Sequence, residues 1–271
     1  MVARQLAKKL LLVGLSIPVA FYGMFLVYLY IAQEDLIFSG TTLPADHHFD
    51  FDVPFREINV SVDGAKLNSL YFRQPNSRGL VFFLHGNGGN LETWTSNVEF
   101  YQRINYDMFM LDYRGYGKST GQIESESQLH EDIRATWNVI SPNYDNKPIV
   151  IYGRSLGAAL AVKLAKGVRS DLVILVSPFS SMLAMAKGQY PLFPSSILRY
   201  PLRNDEGIPD VDTPIILVHG DEDTFIPISH SYDLQELAKP TTKLLVIEGA
   251  NHGDIHHHES YIKGLTDALP N

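Results

Sequence analysis

Three residues of this chain have the types and the order that covalent acyl chemistry needs. Gly153-Arg154-Ser155-Leu156-Gly157 runs directly out of the apolar stretch Ile149–Tyr152, the pattern of a strand that turns sharply into a helix. The corner residue of such an elbow holds a strained backbone, and glycines two before and two after it remove side chains that would collide there. Ser155 is thereby expected at the carboxyl end of the strand, with the positive end of the Ala-, Leu- and Val-rich helix Leu156–Lys166 behind it. A serine becomes a nucleophile only beside a base, and the base needs a group to orient it. His252, in Gly249-Ala250-Asn251-His252-Gly253, follows the last expected strand and is the candidate base. Asp223, in His219-Gly220-Asp221-Glu222-Asp223, follows the strand before it and is the candidate orienting carboxylate. Asp221 and Glu222 compete with Asp223, and Asp221 reads as a turn former. The order Ser, Asp, His is one that this type of elbow uses.

Donors for a developing oxyanion are expected to be backbone N–H groups, which are fixed before reaction. Leu156, at the helix start, supplies one. The turn His85-Gly86-Asn87-Gly88-Gly89-Asn90 after the strand ending at Leu84 supplies the other, assigned to Asn87. Those glycines are followed neither by the Lys-Ser/Thr of a phosphate loop nor by dinucleotide spacing. His256-His257-His258 reads as a solvated helix start. No metal site is expected.

The elements that must position these groups alternate. Two strands, Phe55–Val62 and Lys66–Arg73, meet through Asp63-Gly64 as a hairpin. Apolar strands then recur at Gly79–Leu84, Asp107–Leu111, Pro148–Tyr152, Leu172–Val176, Ile215–Val218 and Leu244–Ile247. Helical patterns lie over Leu91–Ile104, Gln128–Ile140, Leu156–Lys166, His230–Leu237 and His257–Leu269. Continuous apolar strands separated by helices predict an α/β fold with a mostly parallel, doubly wound sheet. Ser177–Thr213 breaks the alternation with a proline-rich, aromatic segment and is expected as a lid over 178–213, in which Tyr190 and Phe193 form an acyl-chain wall.

The 271 residues suit one such domain with an appendage, and the absence of cysteine excludes disulfides and thiolate chemistry. The appendage is N-terminal. Arg4, Lys8 and Lys9 precede Leu10–Ile31, 22 residues without a charge, about 33 Å of helix and long enough to span a bilayer. Residues 1–35 are therefore expected as a cytoplasmic tail and single transmembrane helix over 10–31. Residues 36–54 read as a stalk that packs on the domain, and 55–271 as the catalytic domain. Basic residues before the helix and acidic ones after it put the catalytic domain across the membrane from the N-terminus. A cleaved leader ending near Ala20 is the rival reading. With Arg4, Lys8 and Lys9 set aside, 19 basic against 30 acidic side chains leave −11, a poor surface for nucleic acid.

Together, His85-Gly86-Asn87-Gly88-Gly89-Asn90, Asp112-Tyr113-Arg114-Gly115-Tyr116-Gly117-Lys118-Ser119, Gly153-Arg154-Ser155-Leu156-Gly157, Ser177-Pro178-Phe179 and His219-Gly220-Asp221-Glu222-Asp223 resemble the α/β-hydrolase superfamily over roughly residues 55–270. Within it the chain looks like the membrane-anchored Bem46-type and ABHD13/ABHD17-like serine hydrolases. The resemblance implies the triad Ser155, Asp223 and His252, a preformed oxyanion hole, no cofactor, and small acyl ester, thioester or lipid-like substrates. It implies a structural role for the 112–119 loop. The alternatives are an aminopeptidase-like serine peptidase, which lacks here the large inserted cap of many such enzymes, and a silent lipid-binding or scaffold protein. A serine at the elbow argues against dehalogenases and epoxide hydrolases, which need a carboxylate there.

Overall fold

The structure, a computed structural model, describes residues 2–95 and 98–270. In chain order the elements are α1 (Val2–Ile31), α2 (Gln33–Ile37), β1 (Ser39–Gly40), β2 (Arg56–Val62), β3 (Ala65–Phe72), β4 (Leu80–Leu84), β5 (Gly88–Gly89), α3 (Val98–Arg103), β6 (Asp107–Leu111), α4 (Glu126–Ile140), β7 (Ile149–Arg154), α5 (Leu156–Ala165), β8 (Leu172–Val176), α6 (Met182–Gln189), α7 (Asn204–Gly207), β9 (Ile215–Gly220), α8 (Ser229–Leu237), β10 (Lys243–Ile247) and α9 (Glu259–Ala268).

Eight strands form one sheet in the order β10-β9-β8-β7-β4-β6-β3-β2. Neighbours are parallel from β10 to β6, while β3 joins β6 antiparallel and β2 closes the edge as a hairpin with β3. Every residue of β4, β6, β7, β8 and β9 is buried. This is why these strands are apolar throughout rather than alternating: helices cover both faces. Successive side chains point to opposite faces, so Leu80, Phe82, Ile149, Ile151, Val173 and Leu175 pack with α4 and α5. Val81, Phe83, Val150, Tyr152, Ile174 and Val176 pack with α3 and α9 on the other side. The hairpin turn expected at Asp63-Gly64 is present, with Gly64 at φ +69°. The mostly parallel α/β sheet expected from the sequence is the one observed.

Two expectations are corrected. The helix anticipated over Leu91–Ile104 is confined, among the described residues, to Val98–Arg103. Residues 91–94 form turns because Asn90 and Asp112 take their N–H groups: Asn90 Oδ1 accepts from Glu92 N (3.0 Å) and Asp112 Oδ1 from Leu91 N (3.1 Å). The second correction concerns the membrane. Among the described residues no helix is long and apolar enough to cross a membrane, so the transmembrane helix expected over Leu10–Ile31, and the single-pass topology drawn from it, are not shown. The helix itself is there, as α1. The side chains of residues 10–13 and 15, part of that expected span, lie outside the described ones.

The base of α1 is seated on the body through buried Leu29, followed by Gln33 and Ile37 of α2. Higher up, Phe25 meets Tyr190 edge-on (5.5 Å between ring centroids), and the Tyr22 hydroxyl donates to Leu192 O (2.6 Å).

Candidate active site

The elbow is built where a central strand runs straight into a helix. β7 ends at Arg154 and α5 begins at Leu156. The intervening Ser155 sits at φ +54°, ψ −117°, a conformation that costs a non-glycine residue ~1–3 kcal/mol. Surrounding bonds hold it there: Ser155 N donates to Val176 O (2.8 Å), and Ala158 N to Ser155 O (2.9 Å). Both flanking glycines are required by close approach. A Cβ on Gly153 would lie 2.3 Å from Gly157 O, and one on Gly157 would lie 2.0 Å from Leu84 O. Ser155 is 5% exposed, and Leu156 N is among the N–H groups at the start of α5, where a helix has no partner of its own for them.

His252 and Asp223 meet. His252 Nδ1 lies 2.7 Å from Asp223 Oδ2; a carboxylate only accepts, so Nδ1 carries the proton and Nε2 is left with its lone pair. The other carboxylate oxygen accepts from Phe225 N (3.0 Å) and Ile226 N (2.8 Å). Burial pushes the Asp223 carboxyl up, but hydrogen bonds from His219, His252 and Ile226 N outweigh it and hold the group well below the usual carboxylate range. Of the competing acids, Asp221 accepts from Gly249 N (2.7 Å) and shapes the turn, and Glu222 is exposed.

Two supporting side chains escaped the sequence reading. Buried His219 lies 2.8 Å from Ile226 O through Nε2 and 2.7 Å from Ser231 Oγ through Nδ1. A carbonyl accepts only, so Nε2 bears the proton, and this N–H also faces Asp223 Oδ2 at 3.5 Å. Its signal was a histidine ending an otherwise apolar strand. Arg154, inside the elbow itself, donates from Nη2 to His252 O (2.9 Å) and Gly253 O (3.3 Å). The same guanidinium lies over the Trp94 ring at 5.3 Å and reaches His256 Nδ1 (3.3 Å). Burial, the Arg154 charge and His257 push the His256 imidazole down to about 4, so at neutral pH it accepts from Arg154. A charged residue at the end of a buried strand was the signal available.

The 85–90 turn lies against Ser155: a Cβ on Gly86 would be 3.6 Å from Ser155 Cβ. Its carbonyls are each held by a donor. His85 O accepts from Tyr113 OH (2.8 Å), Gly86 O from His85 Nδ1 (2.7 Å), Asn87 O from Tyr116 OH (2.7 Å) and Gly88 O from Trp94 Nε1 (2.8 Å). In a planar trans peptide the C=O and the following N–H point opposite ways, so fixing Gly86 O fixes Asn87 N–H. Beneath the turn, His85 Nε2 faces Asp112 Oδ1 at 3.5 Å, both side chains fully buried. Burial raises the Asp112 carboxyl above its ordinary value despite His85. The 112–119 stretch thus underlies the turn through Asp112, Tyr113 and Tyr116.

Tyr190 is 44% exposed and packs on α1, while Phe193 is buried. The ring found beside the histidine is instead that of Phe225, 5.0 Å from His252 and 52% exposed.

Residues 75–201 match the family model described as "Serine aminopeptidase, S33". Alpha/beta hydrolase domain-containing protein 17B of Xenopus tropicalis is 34% identical over 209 residues, 74% of this chain and 70% of that one. The human protein of the same name is 33% identical over the same length. Among solved structures, the Pyrococcus furiosus esterase Pf2001 superposes with a TM-score of 0.68 at 18% identity, over 84% of this chain and 97% of that one. Est1E of Butyrivibrio proteoclasticus, with ferulic acid bound, gives 0.61 at 21% identity, over 78% and 95%. The elbow, the sheet that carries it and these likenesses agree, and the chain belongs to the α/β-hydrolase family.

Proposed function

We propose that this chain is a serine hydrolase that cleaves carboxylic esters or thioesters through an acyl-enzyme. The observation that carries the reading is the Asp223–His252 pair at the carboxyl edge of the sheet, next to an elbow that holds Ser155 at positive φ. In this reading His252 Nε2 takes the Ser155 proton as Oγ attacks the carbonyl carbon. Asn87 and Leu156 N–H groups receive the oxyanion, and Asp223 stabilises the imidazolium. His252 then gives the proton to the leaving alcohol or thiol, and water repeats the sequence to release the acid. Phe225, exposed beside His252, offers an apolar surface to the substrate, and the Tyr190–Phe193 segment lies further out toward α1. The likeness to esterases supports this substrate class. The family model's name favours a second reading, release of an N-terminal residue from a peptide.

Fluorophosphonate labelling and turnover of p-nitrophenyl esters test it. Wild type is expected to label and turn over, and Ser155→Ala to lose labelling and at least about 10³-fold in kcat. Turnover of aminoacyl amides but not esters would favour the peptidase. Absence of labelling in wild type would leave a non-catalytic lipid-binding protein.

We further propose that α1 holds the protein against lipid. Val19, Phe21, Met24, Val27, Tyr28 and Ile31 are all exposed, an apolar surface that water does not favour. Val19→Glu with Val27→Glu should shift the protein from liposomes to the supernatant in flotation, with ester turnover in detergent unchanged. Equal flotation of wild type and variant would dismiss the idea.

A further inference from the structure

Residues 39–42 are not a passive connection between α2 and the domain. Ser39 and Gly40 pair in parallel with Gly88 and Gly89. Thr41 N donates to Gly89 O (2.9 Å), and Thr41 O accepts from Asn90 Nδ2 (3.2 Å) and Gly117 N (2.9 Å). The Ser39 hydroxyl donates to Asn87 O (3.3 Å), the carbonyl that also accepts from Tyr116 OH. Gly40 lies flat on that same tyrosine: a Cβ there would stand 2.6 Å from its ring carbons.

We propose that this strand is the outer half of the frame that aims the Asn87 N–H, so that Ser39, Gly40 and Thr41 are positioning residues for the hydrolysis described above, a reading on which this inference rests. The five carbonyls from His85 to Gly89 each accept a hydrogen bond. The inner donors come from the body of the domain, whereas the donor to Gly89 O and the second donor to Asn87 O come from the strand after α2. Without them the 87–89 peptide units are held on one side only. They can rotate toward water, and the Asn87 N–H, whose own peptide is then held by the single bond from His85 to Gly86 O, tilts with them from the line the oxyanion needs.

The strand cannot drift, because the helix before it is fastened to the lid. Gln33 Nε2 donates to Ile197 O (2.8 Å), and Gln33 Oε1 accepts from Arg199 N (2.7 Å). Glu34 pairs with Arg199 (2.6 Å) and accepts from Tyr200 OH (2.8 Å). One run of chain, residues 33–42, therefore fixes the lid at its start and the oxyanion turn at its end.

The test uses the full-length protein. Ser39→Ala combined with Tyr116→Phe removes both hydroxyl donors to Asn87 O while keeping the ring, and Gly40→Val displaces the ring by sterics. Each is assayed for kcat and KM on p-nitrophenyl acetate and for inhibition by a trifluoromethyl ketone, whose serine adduct places its oxygen in the oxyanion site. A lost oxyanion donor costs about 10²–10³ in kcat, so a misaimed one is expected to cost about 10-fold or more. KM should stay within about twofold, and the ketone's Ki should rise by the factor that kcat falls. A general loss of folding would instead lower the active fraction, titrated with fluorophosphonate, without weakening the ketone. Unchanged kcat per labelled site and unchanged Ki in the double variant overturn the proposal, whatever Gly40→Val does. A wild type that neither labels nor turns over removes the reading and this inference with it.

Discussion

Arg154 is a residue whose charge costs free energy where it stands and is retained by what it holds. A guanidinium in a strand of otherwise buried apolar residues must find acceptors, and it finds them in His252 O and Gly253 O, on the loop after β10. Its face covers Trp94, whose Nε1 holds Gly88 O in the 85–90 turn. One side chain thus ties the His252 loop, the elbow and the 85–90 turn together. Lysine keeps the charge but loses the planar fork whose Nη2 reaches both carbonyls while Nη1 reaches His256. Arg154→Lys is expected to lower kcat about 10- to 100-fold with little change in KM, because a small misplacement of a catalytic group costs about 10²-fold in rate. Equal kcat in wild type and variant esterase assays would show that the loop holds its place without the fork.

At the scale of elements, the approach of α5 to β4 is what brings Ser155 and the 85–90 turn together. Gly157 permits that approach: a Cβ there would meet the Leu84 and His85 carbonyl oxygens at 2.0 and 2.6 Å, both backbone atoms that cannot swing aside. Gly157→Ala is expected to destabilise the fold by about 3 kcal/mol or more, as forced overpacking does. Gly188, in α6, has nothing within 4 Å of its would-be Cβ, and Gly188→Ala is expected to leave stability unchanged or raise it by up to about 1 kcal/mol. Denaturant midpoints of the two variants against wild type measure both. A Gly157→Ala midpoint equal to wild type would refute the steric argument. The elements themselves were largely legible. Asp107–Leu111 and Leu172–Val176 stand within the bounds expected from their apolar runs, since strands buried on both faces leave little choice. The Leu91–Ile104 helix was not legible, because whether Asn90 and Asp112 cap N–H groups depends on a loop that arrives from 20 residues away.

For the molecule as a whole, the acid limb of stability follows from histidines held neutral. His256 is pushed down from 6.5 to about 4, first by burial and then by Arg154, and burial lowers His230 as well. Between these limits the unfolded chain binds protons that the folded one does not, so stability rises with pH across this window and falls on acidification. Asp223, held below its ordinary 3.8, contributes stability that is present above that value and lost only at lower pH, so the two contributions separate. Thermal melts between pH 4 and 7 should show Tm falling toward acid, with a shallower slope in His256→Asn. A slope that His256→Asn leaves unaltered would assign the effect elsewhere. The exposed apolar face of α1 belongs to this scale too: it is joined through Phe25 and Tyr22 to the segment at 190–192.

The sequence by itself determined the sheet, the elbow and the order of the chemical groups. Apolar periodicity, paired glycines and strand ends are local, and each carries its physical reason within a few residues. Only the tertiary structure decided which acid meets His252, because Asp221 and Asp223 differ in chemistry by nothing but where the turn after β9 points them. Only it showed Arg154 and His219 as supports, since their partners are distant in the chain or set by the fold of a turn. The N-terminal region divides the same way. Its apolar composition was plain, but a strand of two residues paired with Gly88 and Gly89 has no periodicity to read. Its hydrogen bonds go to the 87–90 turn and to Gly117, which only the fold brings beside it.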